Sequence, residues 1–309
     1  MFSISDTWDA AKSKHKKYVL AQIKIHLDYP QGDPRHIACG ELRNFVRRHD
    51  ENIATGNVEA IEKIISNYEE ILKNDGSGPC IDLFLREARR IFNYSYFIGK
   101  KVNVWCAYNL CKTSKFRMCP YCNQNFAFTI MSENGDFRPT LDHYFPKSVY
   151  PFLAISLYNL VPSCYTCNSN LKESKNFYKI PHLHPFNMKN ELIFAISSKN
   201  SDDILKIVSN QIEFNKFATV GIRDTTDVAA CNSINTFLLN HRFALHEEDF
   251  LRFAYWRRQL TSGRVLELKK IFGNEIEVST ILGFDILSFK NNVHGKILGD
   301  LYEQFKPVD

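Results

Sequence analysis

Two C-x-x-C pairs, Cys119-Pro120-Tyr121-Cys122 and Cys164-Tyr165-Thr166-Cys167, stand 41 residues apart in a chain of 309. Each pair puts two thiols on one tight turn, and two such turns complete a tetrahedral four-sulfur Zn²⁺ site. Sulfur at all four corners leaves no position for water, so the metal expected there is structural. Two redox dithiols would call for a thioredoxin-like βαβ setting, which the surrounding pattern lacks. The other five cysteines, Cys39, Cys80, Cys106, Cys111 and Cys231, are scattered and read as small core hydrophobes. The total of nine is odd and nothing marks a secretory context, so disulfides are not expected.

Composition narrows the class. With 44% hydrophobic and 24% charged residues, the chain is neither disordered, nor collagen-like, nor a disulfide mini-protein. Its length suggests about two domains, each large enough to bury a core. No run of 18 apolar residues suggests a membrane span, and Lys12, Lys14, Lys16 and Lys17 follow the start with no signal-peptide core. The expected location is the cytoplasm, with no membrane partner. The net charge of +5 is uneven: +4 over residues 1–115, +3 over 116–190 and −2 over 191–309. A mildly basic first two-thirds suits an acidic partner such as nucleic acid without demanding one.

Apolar spacing predicts helices over 6–28 (Asp6 as cap), 36–49, 57–73 and 81–97, with breaks at 28–34 and at Gly76-Ser77-Gly78-Pro79. The pattern changes at Cys119. Phe126–Ile130 reads as a strand, Asn134-Gly135 as a turn, and Arg138–His143 as the strand completing a hairpin. Helical character returns beyond 226, through 234–239 and 247–260. Three regions follow: a helical 1–115, a zinc-and-β insert at 116–190, and a mainly helical 191–309.

Chemistry concentrates in the insert. Between the cysteine pairs lies Leu141-Asp142-His143-Tyr144-Phe145-Pro146-Lys147-Ser148, and around the second pair Asn159-Leu160-Val161-Pro162-Ser163-Cys164-Tyr165-Thr166-Cys167-Asn168-Ser169-Asn170-Leu171-Lys172. A carboxylate followed by His at a strand end offers a hard oxygen ligand beside a neutral base. An Asn on the next helix offers a second oxygen. Together they suit one Mg²⁺ held against a phosphate while His activates water. Alone, an Asp-His pair is ordinarily a solvated turn and an Asn a cap. Their order around one knuckle carries the inference.

Over residues 117–186 these motifs resemble the HNH, or ββα-metal, endonucleases, and more narrowly the HNH subunits of Septu-type anti-phage defence. The resemblance implies a mainly α protein with a small central ββα-metal (HNH) module carrying a four-cysteine zinc knuckle. It implies structural Zn²⁺ on Cys119, Cys122, Cys164 and Cys167, and catalytic Mg²⁺, with Mn²⁺ as a substitute, on Asp142 and Asn168. His143 would be the general base and Asn159 the brace of the loop that orients it. Asn168 stands where many members have His. The implied activity is phosphodiester hydrolysis on nucleic acid, DNA favoured over RNA, beside an ABC/SMC-type ATPase. The chain has neither G-x-x-x-x-G-K-[ST] nor G-x-S-x-G, so ATP dependence would come from that partner.

Two other readings stay open: an RNA-directed (tRNA) nuclease with the same His143 chemistry, and a catalytically silent zinc-knuckle scaffold. Lys147 and Lys172 are phosphate contacts or, more simply, surface charges. His182 and His184 are extra ligands or part of a Pro-rich exit loop. In the C-terminal region, Phe243, Phe250, Phe253, Tyr255 and Trp256 fit a core better than a base-stacking row. Arg252, Arg257, Arg258 and Arg264 fit a solvated helix face better than a phosphate track.

Overall fold

A computed structural model describes residues 1–74, 79–99, 103–133, 135–188, 191–198 and 218–307. The protein is mainly helical, with three two-stranded antiparallel sheets among the described residues. The chain divides into two compact units, one of Ser3–Phe116 with Ala127–Asn187, the other of Met1–Phe2, Arg117–Phe126 and Met188–Asp309.

The first of these is built on helices α1 (Lys12–Asp28), α2 (Gly40–Thr55), α3 (Val58–Asn74), α4 (Pro79–Ile91), α5 (Tyr94–Ile98) and α6 (Ala107–Lys112). Leu42, Phe45, Val46 and Ile53 recur at helical spacing on α2 and are all buried, as are Ile61, Ile64, Ile65 and Tyr68 on α3. Phe152, on a 3₁₀ turn at Pro151–Leu153, inserts between these helices, its ring 4.9 Å from Phe45 and 5.1 Å from Tyr68. Such aromatic packing adds to the area buried and fixes the turn rigidly.

Two helix expectations change. The first helix begins at Lys12, because residues 5–11 form turns, and Asp6 pairs with Lys115 at 3.0 Å. The single helix expected over 81–97 is split, because the Asn93 side chain caps Tyr96 N at 2.9 Å and starts α5. Gly76, Ser77 and Gly78 of the expected break lie outside the described residues, as does Asn134.

The strands also regroup. β1 (Ile130–Ser132) and β2 (Gly135–Phe137) make an exposed hairpin, whereas β3 (Thr140–His143) pairs with β4 (Leu160–Ser163), with Thr140 opposite Ser163 and His143 opposite Leu160. Pro139 interrupts the segment expected to be one strand, since it has no N–H to donate to a ladder. Beyond it, Leu141, Asp142 and His143 turn inward.

In the other unit, β5 (Phe194–Ser198) pairs with β6 (Ala218–Ile222), followed by helices that include Val228–Thr236, Glu247–Gln259 and Gly295–Gln304. Phe243 and Phe250 are buried there, Phe243 lying 4.6 Å from Phe194, while Trp256 is exposed. Arg257 is buried and donates to the Tyr302 carbonyl; Arg252 and Arg264 are exposed and pair with Asp249 and Glu267. Among the described residues, no helix is long and apolar enough to cross a membrane.

Candidate functional site

The β3–β4 ladder and the turn after it assemble a cleft of about 390 Å³, lined by Asp142, His143, Lys147, Asn168 and Lys172. Trp8 donates from Nε1 to the Leu160 carbonyl at 3.1 Å, tying β4 into the core. Residues Thr166–Lys172 form a wide π-helical turn, closed by Glu173 N donating to Asn168 O at 2.9 Å.

His143 is held from several sides. Its Nε2 lies 2.9 Å from the Ala154 carbonyl, which can only accept, so Nε2 carries the proton and Nδ1 keeps its lone pair. No described residue hydrogen-bonds Nδ1. The Tyr94 ring packs edge-on at 4.4 Å. Burial, with the positive charges of Lys147 and Lys172, pushes the imidazole down to about 3 against the carbonyl bond that opposes it. The ring is therefore neutral at physiological pH.

Asn159, fully buried, fixes the loop between the strands. Its Oδ1 accepts from Phe145 N at 2.8 Å, and its Nδ2 donates to the carbonyls of Phe145 and Leu153 at 3.1 and 3.0 Å. Leu153 adjoins Ala154, so the same side chain sets both ends of the segment that grips His143.

Lys172 is 1% exposed, which corrects its reading as a surface charge. Its ammonium stands 3.0 Å from Asp142 Oδ1 and donates to the His143 carbonyl at 2.7 Å. Asn168 is half-buried, and its side-chain amide has no hydrogen-bond partner among the described residues. Lys147 is exposed, its Nζ 4.2 Å over the Tyr94 ring.

Three cleft residues escape a sequence reading. Tyr94 comes from the helical region, Arg138 precedes β3, and Glu173 closes the π-helical turn at φ 53°. Arg138 Nε is buried without a partner. With Lys147 and Lys172 it gives the cleft three cations against the carboxylates Asp142 and Glu173, a balance that favours an anion.

His182 and His184 do not line the cleft. His182 stacks on Phe177 at 3.7 Å and His184 lies 3.8 Å from the Tyr144 ring; burial pushes His184 down to about 3. Both belong to the packing of the exit segment.

The sulfur atoms of Cys119, Cys122, Cys164 and Cys167 all lie within 4.8 Å of one another, and all four residues are buried. Gln124 N donates to Cys122 Sγ and Cys167 N to Cys164 Sγ, each at 3.5 Å. N–H groups aimed at sulfur favour thiolates, and a tetrahedron with ~2.3 Å Zn–S bonds has sulfurs about 3.8 Å apart. The cluster suits a metal such as zinc. Comparison with protein-family models, curated proteins and solved structures finds no match to this chain.

Proposed function

We propose that this chain is a metal-dependent endonuclease of the ββα-metal type that hydrolyses nucleic-acid phosphodiester bonds, DNA favoured. One observation carries the reading: a neutral His143, proton on Nε2 and Nδ1 unpartnered, shares a cationic cleft with Asp142 and Asn168. His143 Nδ1 takes a proton from water as the water oxygen bonds to phosphorus; the bond to the 3′ oxygen breaks and that oxygen takes a proton from solvent, leaving 3′-OH and 5′-phosphate, after which His143 returns its proton to solvent. Arg138 and Lys147 bind the phosphate and orient it. Lys172 holds Asp142 in place and the His143 backbone with it.

Mg²⁺ takes one or two carboxylates and leaves its other positions to water and phosphate oxygens, so here the substrate phosphate would have to offset the charge of the cation beside Lys172. Asp142 and Asn168 would hold it, with Mn²⁺ as substitute; bound, it supplies charge stabilisation at the phosphate and leaving oxygen. The four-cysteine cluster holds structural zinc.

The Septu-type resemblance adds an ABC/SMC-type ATPase partner. Helix Ser262–Phe272 buries none of its residues and exposes Leu266, Ile271 and Phe272, a surface that suits a protein partner without saying which.

The test is cleavage of labelled double-stranded DNA, single-stranded DNA and tRNA by wild type and His143→Ala, with Mg²⁺, Mn²⁺ or EDTA. Metal-dependent cutting of DNA that the variant loses is the expected result. Cutting confined to tRNA would move the substrate to RNA. A variant as active as wild type would overturn the mechanism, and a wild type silent even beside an ATPase partner would leave a scaffold.

A further inference from the structure

A second group of metal-type donors lies apart from the cleft. Cys39 caps the N-terminus of α2, Glu41 sits in the first turn of that helix, and Cys80 is the second residue of α4. Their ligand atoms all lie within 4.8 Å of one another. Cys39 Sγ is 3.8 Å from Cys80 Sγ, and Cys80 Sγ is 3.6 Å from Glu41 Oε2. A tetrahedral zinc with arms of ~2.3 Å to sulfur and ~2.1 Å to oxygen has edges of about 3.8 Å (S···S) and about 3.6 Å (S···O). Both measured separations match those edges.

The position of Cys39 is fixed from two sides. Leu42 N donates to its Sγ at 3.5 Å, and the buried Glu87 carboxylate accepts from Ala38 N and Cys39 N, each at 3.0 Å. Cys39 is buried, Cys80 half-buried and Glu41 exposed, so an ion can enter from solvent and keep water as its fourth ligand. We infer that Cys39, Cys80 and Glu41 form a second, solvent-accessible site for a borderline-soft divalent cation such as Zn²⁺, joining the first turns of α2 and α4. Binding displaces the two thiol protons to solvent and leaves two thiolates and one carboxylate on the metal.

The full chain is loaded with Zn²⁺ under reducing conditions and freed of excess, and metal per chain is measured for wild type and Cys80→Ser. The expected result is one zinc fewer in the variant, with the four-cysteine cluster unaffected. Alkylation of Cys80 in wild type should slow at least about tenfold when Zn²⁺ is present, which decides the matter if the variant fails to fold. Glu41→Gln should weaken the site at least about tenfold. Equal zinc content in wild type and a folded Cys80→Ser, or alkylation indifferent to Zn²⁺, would overturn the inference. So would a Cys39–Cys80 disulfide persisting in the zinc-loaded protein.

Discussion

Lys172 neutralises Asp142 inside the protein: both side chains are 1% exposed, and Nζ lies 3.0 Å from Oδ1. Taking two charges out of water is costly and their pairing offsets part of that cost, but removing one partner strands the other with none of it offset. Lys172→Met should therefore destabilise the protein by about 3–5 kcal/mol in urea denaturation. Asp142→Asn with Lys172→Met should cost less than the sum of the single changes, since neither then leaves a buried charge. Strictly additive losses in that double-mutant cycle would show that the pair is not coupled.

Asn159 makes a different prediction, because it is neutral and fully hydrogen-bonded. Asn159→Ala removes three bonds and leaves one N–H and two carbonyls without that partner. The expected cost is about 2–4 kcal/mol. Since Leu153 adjoins the residue that holds His143, the proposed cleavage should fall further than stability explains, at temperatures where the variant is still folded. Full activity in a folded Asn159→Ala would mean that the loop holds its shape without the brace.

Local chemistry made much of the site legible. The cysteine pairs, Asp142-His143, Asn159 and Asn168 sit within 50 residues of one another, in an order that singles them out as candidates before any fold is known. Lys172 was not legible, because a lysine on a helix looks the same whether it meets water or a buried carboxylate; only the packing of the π-helical turn against β3 decides. Tyr94 reaches the cleft from 48 residues before Asp142, with no local signal. The pairing of β3 with β4 was hidden for a related reason: hairpin signals describe neighbours, and β4 is separated from β3 by the loop that Asn159 closes.

The zinc proposal separates cleanly from the catalytic one. Cys119→Ser or Cys164→Ser should lose the zinc of the four-cysteine cluster and unfold the surrounding segment, because ligand set and fold form together. His143→Ala should keep the cluster's zinc and the fold, at a lower melting temperature because the Ala154 carbonyl loses its partner. A soluble Cys119→Ser with unchanged melting and metal content would remove the cluster's structural role.

His15 predicts how stability responds to pH. It is fully buried, its Nε2 donating to the Ile155 carbonyl at 2.8 Å while Nδ1 accepts from Trp105 Nε1 at 3.1 Å. That arrangement needs the neutral ring, since a second ring proton would face the Trp105 N–H. Burial accordingly lowers its pKa from 6.5 to about 4, against the smaller opposing effect of the Ile155 carbonyl. Below 6.5 the unfolded chain takes up a proton that the folded chain refuses, so stability is full above 6.5 and declines as pH falls toward 4. Between pH 7.5 and 5 the loss from this residue is about 2 kcal/mol. His15→Gln keeps a donor and an acceptor but does not titrate, so its urea midpoint should fall less over that interval than that of wild type. The other buried histidines titrate in both proteins and cancel in the comparison. Identical pH slopes would mean that His15 protonates in the folded state as readily as in the unfolded one. The consequence reaches the cleft, because Ile155 follows the residue whose carbonyl holds His143.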